Sequence, residues 1–151
     1  MKALLISFTI FFSSYSHISY GSEKSDIEYR KGFEFVYLPY FFAEIGYNLN
    51  DSPLTVRGRL GAFYITIFAT TEISIDKLLF DKYDVFFAVG AHALWTATGV
   101  TAQIGTEIPA SKEGAFWRLG LSYGKFDLTP DNQNDSDSFY LSPIIGYTYS
   151  F

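Results

Sequence analysis

The chain has 151 residues, of which 20% are aromatic and 18% charged, with no cysteine and a formal net charge of −5. That length supports one domain, and the absence of cysteine excludes a disulfide scaffold and a thiolate metal centre. Sixteen acidic against eleven basic residues leave no electrostatic footprint for nucleic acid, while the aromatic excess suits side chains that meet a membrane interface.

The N-terminus reads as a secretory signal. Lys2 precedes the apolar run Ala3 to Phe12 (ALLISFTIFF), which is too short to cross a bilayer as a helix. Ser19-Tyr20-Gly21 offers the small-x-small pattern that signal peptidase reads, so cleavage is expected after Gly21, with Ser16 as the alternative site. Residues 1–21 are then the signal and 22–151 a mature domain of about 130 residues carrying no second long apolar run.

The mature domain alternates with period two, as strands with one apolar face do. Phe33 to Asn48 reads as a strand in which Pro39 is awkward; a bend over Tyr37 to Pro39 splits off an additional N-terminal strand, Ile27 to Val36. Leu54 to Ile67 and Thr70 to Leu79 read as two strands joined at Phe68 and Ala69, where no turn former stands. Turn residues do mark Asn48 to Pro53 (NLNDSP), Asp81 to Asp84 (DKYD) and Pro109 to Gly114 (PASKEG). Between and beyond them lie Val85 to Ala97, Val100 to Ile108, Ala115 to Phe126 and, after a polar loop over Thr129 to Asp137, the segment Ser138 to Phe151. In that last strand Phe139, Leu141, Pro143, Ile145, Tyr147, Tyr149 and Phe151 share one face, and Tyr140, Ser142, Ile144, Gly146, Thr148 and Ser150 lie on the other. The count is eight strands, an even number as a single-chain barrel with both termini in the periplasm needs.

Ile145, Tyr147, Tyr149 and the terminal Phe151 give the chain its resemblance to the small outer-membrane β-barrels of Gram-negative bacteria, the OmpA/OmpX-like group. In that group the last strand ends on an aromatic residue, with apolar residues at alternate positions before it, and the assembly machinery reads this signal. The resemblance implies an all-β, antiparallel, up-and-down transmembrane barrel in the bacterial outer membrane. The partners it implies are membrane lipid, lipopolysaccharide and the assembly machinery, with the barrel a monomer. Tyr37, Tyr47, Trp95, Trp117, Tyr123, Tyr147 and Tyr149 are the candidates for interfacial aromatic girdles.

With the apolar faces outward, the ionisable residues of the lumen are Glu44, Arg57, Arg59, Glu72, Asp76, His92, Glu107 and Arg118. Charges in so narrow a space must pair, because an unpaired buried charge costs several kcal/mol. The hairpins place Glu44 roughly opposite Arg57 and Glu107 near Arg118, and Arg59 is expected to approach Asp76. This points to a salt-bridged plug, since a lumen of about eight strands is filled by side chains. His92 is the one histidine of the mature domain, expected to be hydrogen-bonded within the polar lumen. A lipid-modifying enzyme would need a hydroxyl nucleophile beside it; Leu94 stands two positions on, and Thr96 and Thr101 are not placed for attack. Neither a metal nor another cofactor is expected with one histidine and no cysteine, and the loop Asp127 to Asp137 departs from calcium-loop spacing at Gln133 and Ser136. The function expected is structural or surface-interacting, with a barrel enzyme and a narrow channel as alternatives.

Overall fold

The computed structural model describes residues 26–49, 52–63, 66–94, 97–128 and 138–151. The residues assigned to the secretory signal, the loop 129–137 and Trp95 with Thr96 fall outside them. Eight strands run in chain order: β1 (Ile27–Phe35), β2 (Pro39–Asn48), β3 (Leu54–Phe63), β4 (Thr66–Leu79), β5 (Tyr83–Leu94), β6 (Ala97–Pro109), β7 (Ala115–Leu128) and β8 (Ser138–Ser150). Each pairs antiparallel with the next, and β8 closes on β1 to complete a barrel.

Register fixes the barrel's shape. Directly opposed residues lead from Lys31 through Ala43, Leu60, Ala69, Ala91, Val100 and Lys125 to Phe139 on β8, yet β1 presents Lys31 to Tyr149. The ten residues from Phe139 to Tyr149 are the stagger of the closed sheet, and eight strands with such a stagger tilt by roughly 35–45° around a lumen just wide enough for side chains.

Alternation then sorts the residues. Phe41, Ile45, Val56, Leu60, Ile67, Ile73, Phe87, Val89, Val100, Ile104, Leu119, Leu121, Leu141 and Ile145 all stand exposed on the outer wall. The lumen takes a small apolar core, Val36, Tyr40, Phe42, Phe68, Phe86 and Ile144, and nearly all the buried polar groups. Bulk on one strand is matched by glycine on its neighbour. A Cβ at Gly105 would come within 2.5 Å of Phe86 Cζ, and one at Gly124 would collide with the Tyr140 ring.

Several boundaries differ from those expected of the sequence. Pro39 opens β2 instead of interrupting a strand, a position where its missing N–H costs no ladder bond. The β3–β4 hairpin closes on the pair Phe63↔Thr66, so Phe68 and Ala69 lie inside β4. Ala97 begins β6, and Tyr83 and Asp84 belong to β5. Between Ile75 and Leu79 the β4–β5 register shifts, and Lys77, Phe80 and Asp81 adopt positive φ of 53° to 56°. There the bulge and turn absorb what a turn glycine would elsewhere.

Candidate functional site

The lumen is layered. Near the end that carries both termini lies an ionic layer supplied by six of the eight strands: Arg30 and Glu34 (β1), Glu44 (β2), Arg57 and Arg59 (β3), Glu72 (β4), Glu107 (β6) and Arg118 (β7). All eight side chains are at most 4% exposed. The eight buried charges, four arginines and four glutamates, therefore balance, and Glu28 at the mouth adds a further carboxylate 2.7 Å from Arg30 Nε.

Arg118 is its hub. It donates from Nε to Glu34 Oε2 at 3.0 Å, from Nη2 to Glu72 Oε2 at 2.6 Å, and from Nη1 to Glu107 Oε1. Arg59 donates to Glu44 Oε2 through Nε and Nη2 at 2.8 and 2.5 Å, and to Glu34 Oε2 through Nη1 at 2.9 Å. Arg57 Nη1 reaches Glu72 Oε1 at 3.1 Å, and Arg30 Nη1 reaches Glu107 Oε2 at 2.7 Å. Two guanidinium groups also lie on aromatic faces, Arg118 Cζ 3.7 Å from the Phe86 centroid and Arg59 Cζ 4.2 Å from that of Phe42. Ring faces carry negative potential, so these contacts favour the cation at a place where water is scarce.

Six of the seven residues expected in the charge network thus meet in one cluster, while Asp76 does not. The register sets Arg59 opposite Thr70 and Glu44, and Arg57 opposite Glu72. Asp76 shares parity with Glu72 and Ser74, but β4 leaves the β5 ladder after Ile75, and Asp76 is exposed with its backbone N–H bonded to Pro53 O. It lines a cavity of about 390 Å³ at the terminal mouth, together with Glu28, Arg30, Arg57 and Asp84. Arg30 and Glu34 belong to the network and were not expected there. Their signal was present: Glu28, Arg30, Gly32 and Glu34 alternate with Ile27, Tyr29, Phe33 and Phe35, and only Lys31 on the second face spoils the pattern.

At the opposite end the lumen is closed by rings. The β1–β2 connection turns inward: Val36 is buried, its carbonyl accepts from Ser142 Oγ at 2.5 Å, and the Tyr37 ring packs within 5.8 Å of Phe68, His92, Phe126 and Tyr140. Tyr37 is therefore a lid residue, not a girdle residue, and burial pushes its hydroxyl pKa upward. Tyr47, Trp117 and Tyr123 are exposed on the outer wall, and Tyr147 and Tyr149 are half-buried on the outward parity of β8. His92 does point into the lumen, but neither ring nitrogen has a hydrogen-bond partner among the described residues. Its neighbours are rings, with Phe126 at 4.3 Å, because this storey of the barrel is aromatic, not polar. Thr101 Oγ1 pairs with Ser122 Oγ at 2.9 Å.

The barrel's architecture is shared with a solved structure, the N-terminal β-barrel domain of Pseudomonas aeruginosa OprF, at a TM-score of 0.51 and 10% identity, over 83% of this chain and 96% of that one. The chain has the fold of that barrel domain. No family model matches the sequence, and no curated protein matches it. Likeness to the OprF domain therefore rests on eight strands and their closure, not on shared side chains.

Proposed function

We propose that the protein is an integral outer-membrane β-barrel with a closed, salt-bridged lumen and a structural role in the envelope. The observation that carries this reading is the neutral layer of four arginines and four glutamates inside a wall that is apolar outside. A contiguous apolar exterior of this extent calls for a hydrocarbon surrounding, and paired charges at one end with packed rings at the other favour a closed lumen. The likeness to the OprF barrel domain supports the barrel fold on which this reading rests. The β1–β2 connection folds into the mouth, and the β3–β4 and β5–β6 hairpins close tightly on Phe63↔Thr66 and Leu94↔Ala97, which favours a structural role over an adhesive one.

The protein is expected to fractionate with the outer membrane, to migrate differently on gels with and without boiling, and to give no steady conductance in planar bilayers. Recovery in the soluble periplasm would end the membrane reading. A reproducible open channel would end the closed-lumen reading and favour the narrow channel.

The C-terminal strand supplies a second expectation. Ile145 and Phe151 are exposed on the outer wall, and the Phe151 N–H bonds to Tyr29 O beside the β1–β8 seam. Ser150 instead turns inward, its hydroxyl bonded to Glu28 Oε1 at 2.8 Å. Phe151→Asp should reduce the folded protein recovered in membranes severalfold, and Ser150→Ala should leave it near wild type. Equal recovery of the two variants would remove the case for Phe151 as the assembly signal.

A further inference from the structure

The outer wall is not uniformly filled. Between β1 and β4 it holds a largely apolar groove of about 470 Å³, lined by Ala43, Ile45, Gly58, Leu60 and Ala69, with Tyr29, Lys31 and Phe151 at the β1 side and the lumen-parity residues Arg30, Glu44, Arg59 and Thr70 contributing between them. Small side chains on three successive strands make the depression, with Ile45 and Leu60 standing beside them.

Two features set this groove apart from the rest of the wall. Gly58 is not required by crowding: a Cβ there would meet only Ile45 Cγ2, at 4.0 Å, whereas a Cβ at Gly105 or Gly124 would clash. Nor does its backbone require glycine, since Gly58 is not among the positive-φ residues. Glycine in a strand interior costs stability, so the open space above it is the feature left to explain. The second is Lys31, half-buried on the outward face of β1 between Ala43 and Tyr149. Its ammonium lies 4.9 Å from the Phe151 centroid, and no carboxylate among the described residues forms an ion pair with it. A cation on a hydrocarbon-facing wall is costly without an anion, and the anion that a bilayer offers beside an apolar groove is a lipid phosphate.

We infer that this groove binds one anionic phospholipid, an acyl chain lying over Ala43, Gly58 and Ala69 and the phosphate meeting Lys31. The inference rests on the membrane placement proposed above. Phospholipid is favoured over lipopolysaccharide because Tyr29 and Phe151 put the groove toward the terminal end, which in a barrel of this topology faces the periplasmic leaflet.

The test uses the folded barrel reconstituted in vesicles of phosphatidylglycerol and phosphatidylcholine and extracted into detergent. Lipids retained per barrel are then counted by native mass spectrometry. Wild type should keep one phosphatidylglycerol in preference to phosphatidylcholine. Lys31→Gln should lower that preference about fivefold, the worth of one lysine at an anionic lipid surface. Gly58→Leu, which fills open space outside the barrel, should abolish retention of either lipid. Heat-modifiable migration of each variant shows whether it has folded and inserted, so failure of the membrane reading, in which wild type itself does not insert, is distinct from failure of this one. An inserted wild type that retains no lipid, retains both lipids equally, or keeps its lipid in the Gly58→Leu variant would overturn the site. A preference for added lipid A over phosphatidylglycerol would overturn the assignment to phospholipid.

Discussion

Arg118→Ala should destabilise the folded barrel by about 3–5 kcal/mol, the cost of breaking a dehydrated ion pair from one side. Arg118 is fully buried and, among the described residues, is the one side chain that pairs with Glu34, Glu72 and Glu107 together. Without it, four buried glutamates are left to share the remaining three arginines, and the layer carries a net negative charge in a place where water is scarce. Because the guanidinium also covers Phe86, Arg118→Met serves as the companion: it keeps most of the volume and should still pay the charge penalty. Combining Arg118→Met with Glu107→Gln restores neutrality and should cost less than the two single changes together, by about 0.5–3 kcal/mol of coupling. Urea unfolding in vesicles, followed by tryptophan fluorescence and the folded gel band, measures these differences. A loss under about 1 kcal/mol with additive singles is what exposed, hydrated pairs give, and would mean that water fills the layer.

The hub could not have been found from hairpins alone. Glu107 and Arg118 are directly opposed on neighbouring strands, and that pair is legible from the position of the turn between them. The Arg118 contact with Glu34 spans 84 residues and exists because the sheet closes, so that β1 and β7 face the same narrow space. Local pairing also put Glu44 against Arg57, whereas the register opposes Glu44 to Arg59 and leaves Arg57 Nε 3.5 Å away. Shared parity suffices to bring all three into the lumen, where Arg57 still pairs with Glu44 although it stands two residues from direct opposition.

Other misplacements have physical causes of their own. Tyr64 and Ile65, between β3 and β4, are not turn formers, so nothing in composition marks that hairpin, and the pairing Arg57↔Glu72 is what locates it. Asp76 was carried inward by period two across a bulge, which is where period two stops holding. Tyr37 looked like an interfacial aromatic because it lies at a strand end, but Ser142 ties its connection into the mouth. The outward set on β8 is legible because Phe139, Leu141, Pro143 and Ile145 stand at alternate positions, although Tyr140 and Ile144 put apolar side chains on the inner face as well. On β1 a single outward lysine hid an equally regular inner face.

Val89→Arg separates a membrane barrel from a soluble one of the same shape. Val89 is 65% exposed, in the interior of β5, with Thr71 and Ala102 opposite it on the neighbouring strands. No carboxylate lies within its own row to accept a new guanidinium. In hydrocarbon, an arginine near the midplane of a barrel wall costs about 2–4 kcal/mol, falling toward zero at the interfaces. On a protein surrounded by water the same substitution would remove an exposed apolar group and cost within about 0.5 kcal/mol. Ser111→Arg, in the exposed turn between β6 and β7, is the matched control and should be neutral in either setting. Unfolding in lipid vesicles should therefore show the Val89 variant losing several times more stability than the Ser111 variant. Equal, small losses would show that the apolar wall is not embedded in lipid, and the outer-membrane reading would fall with it.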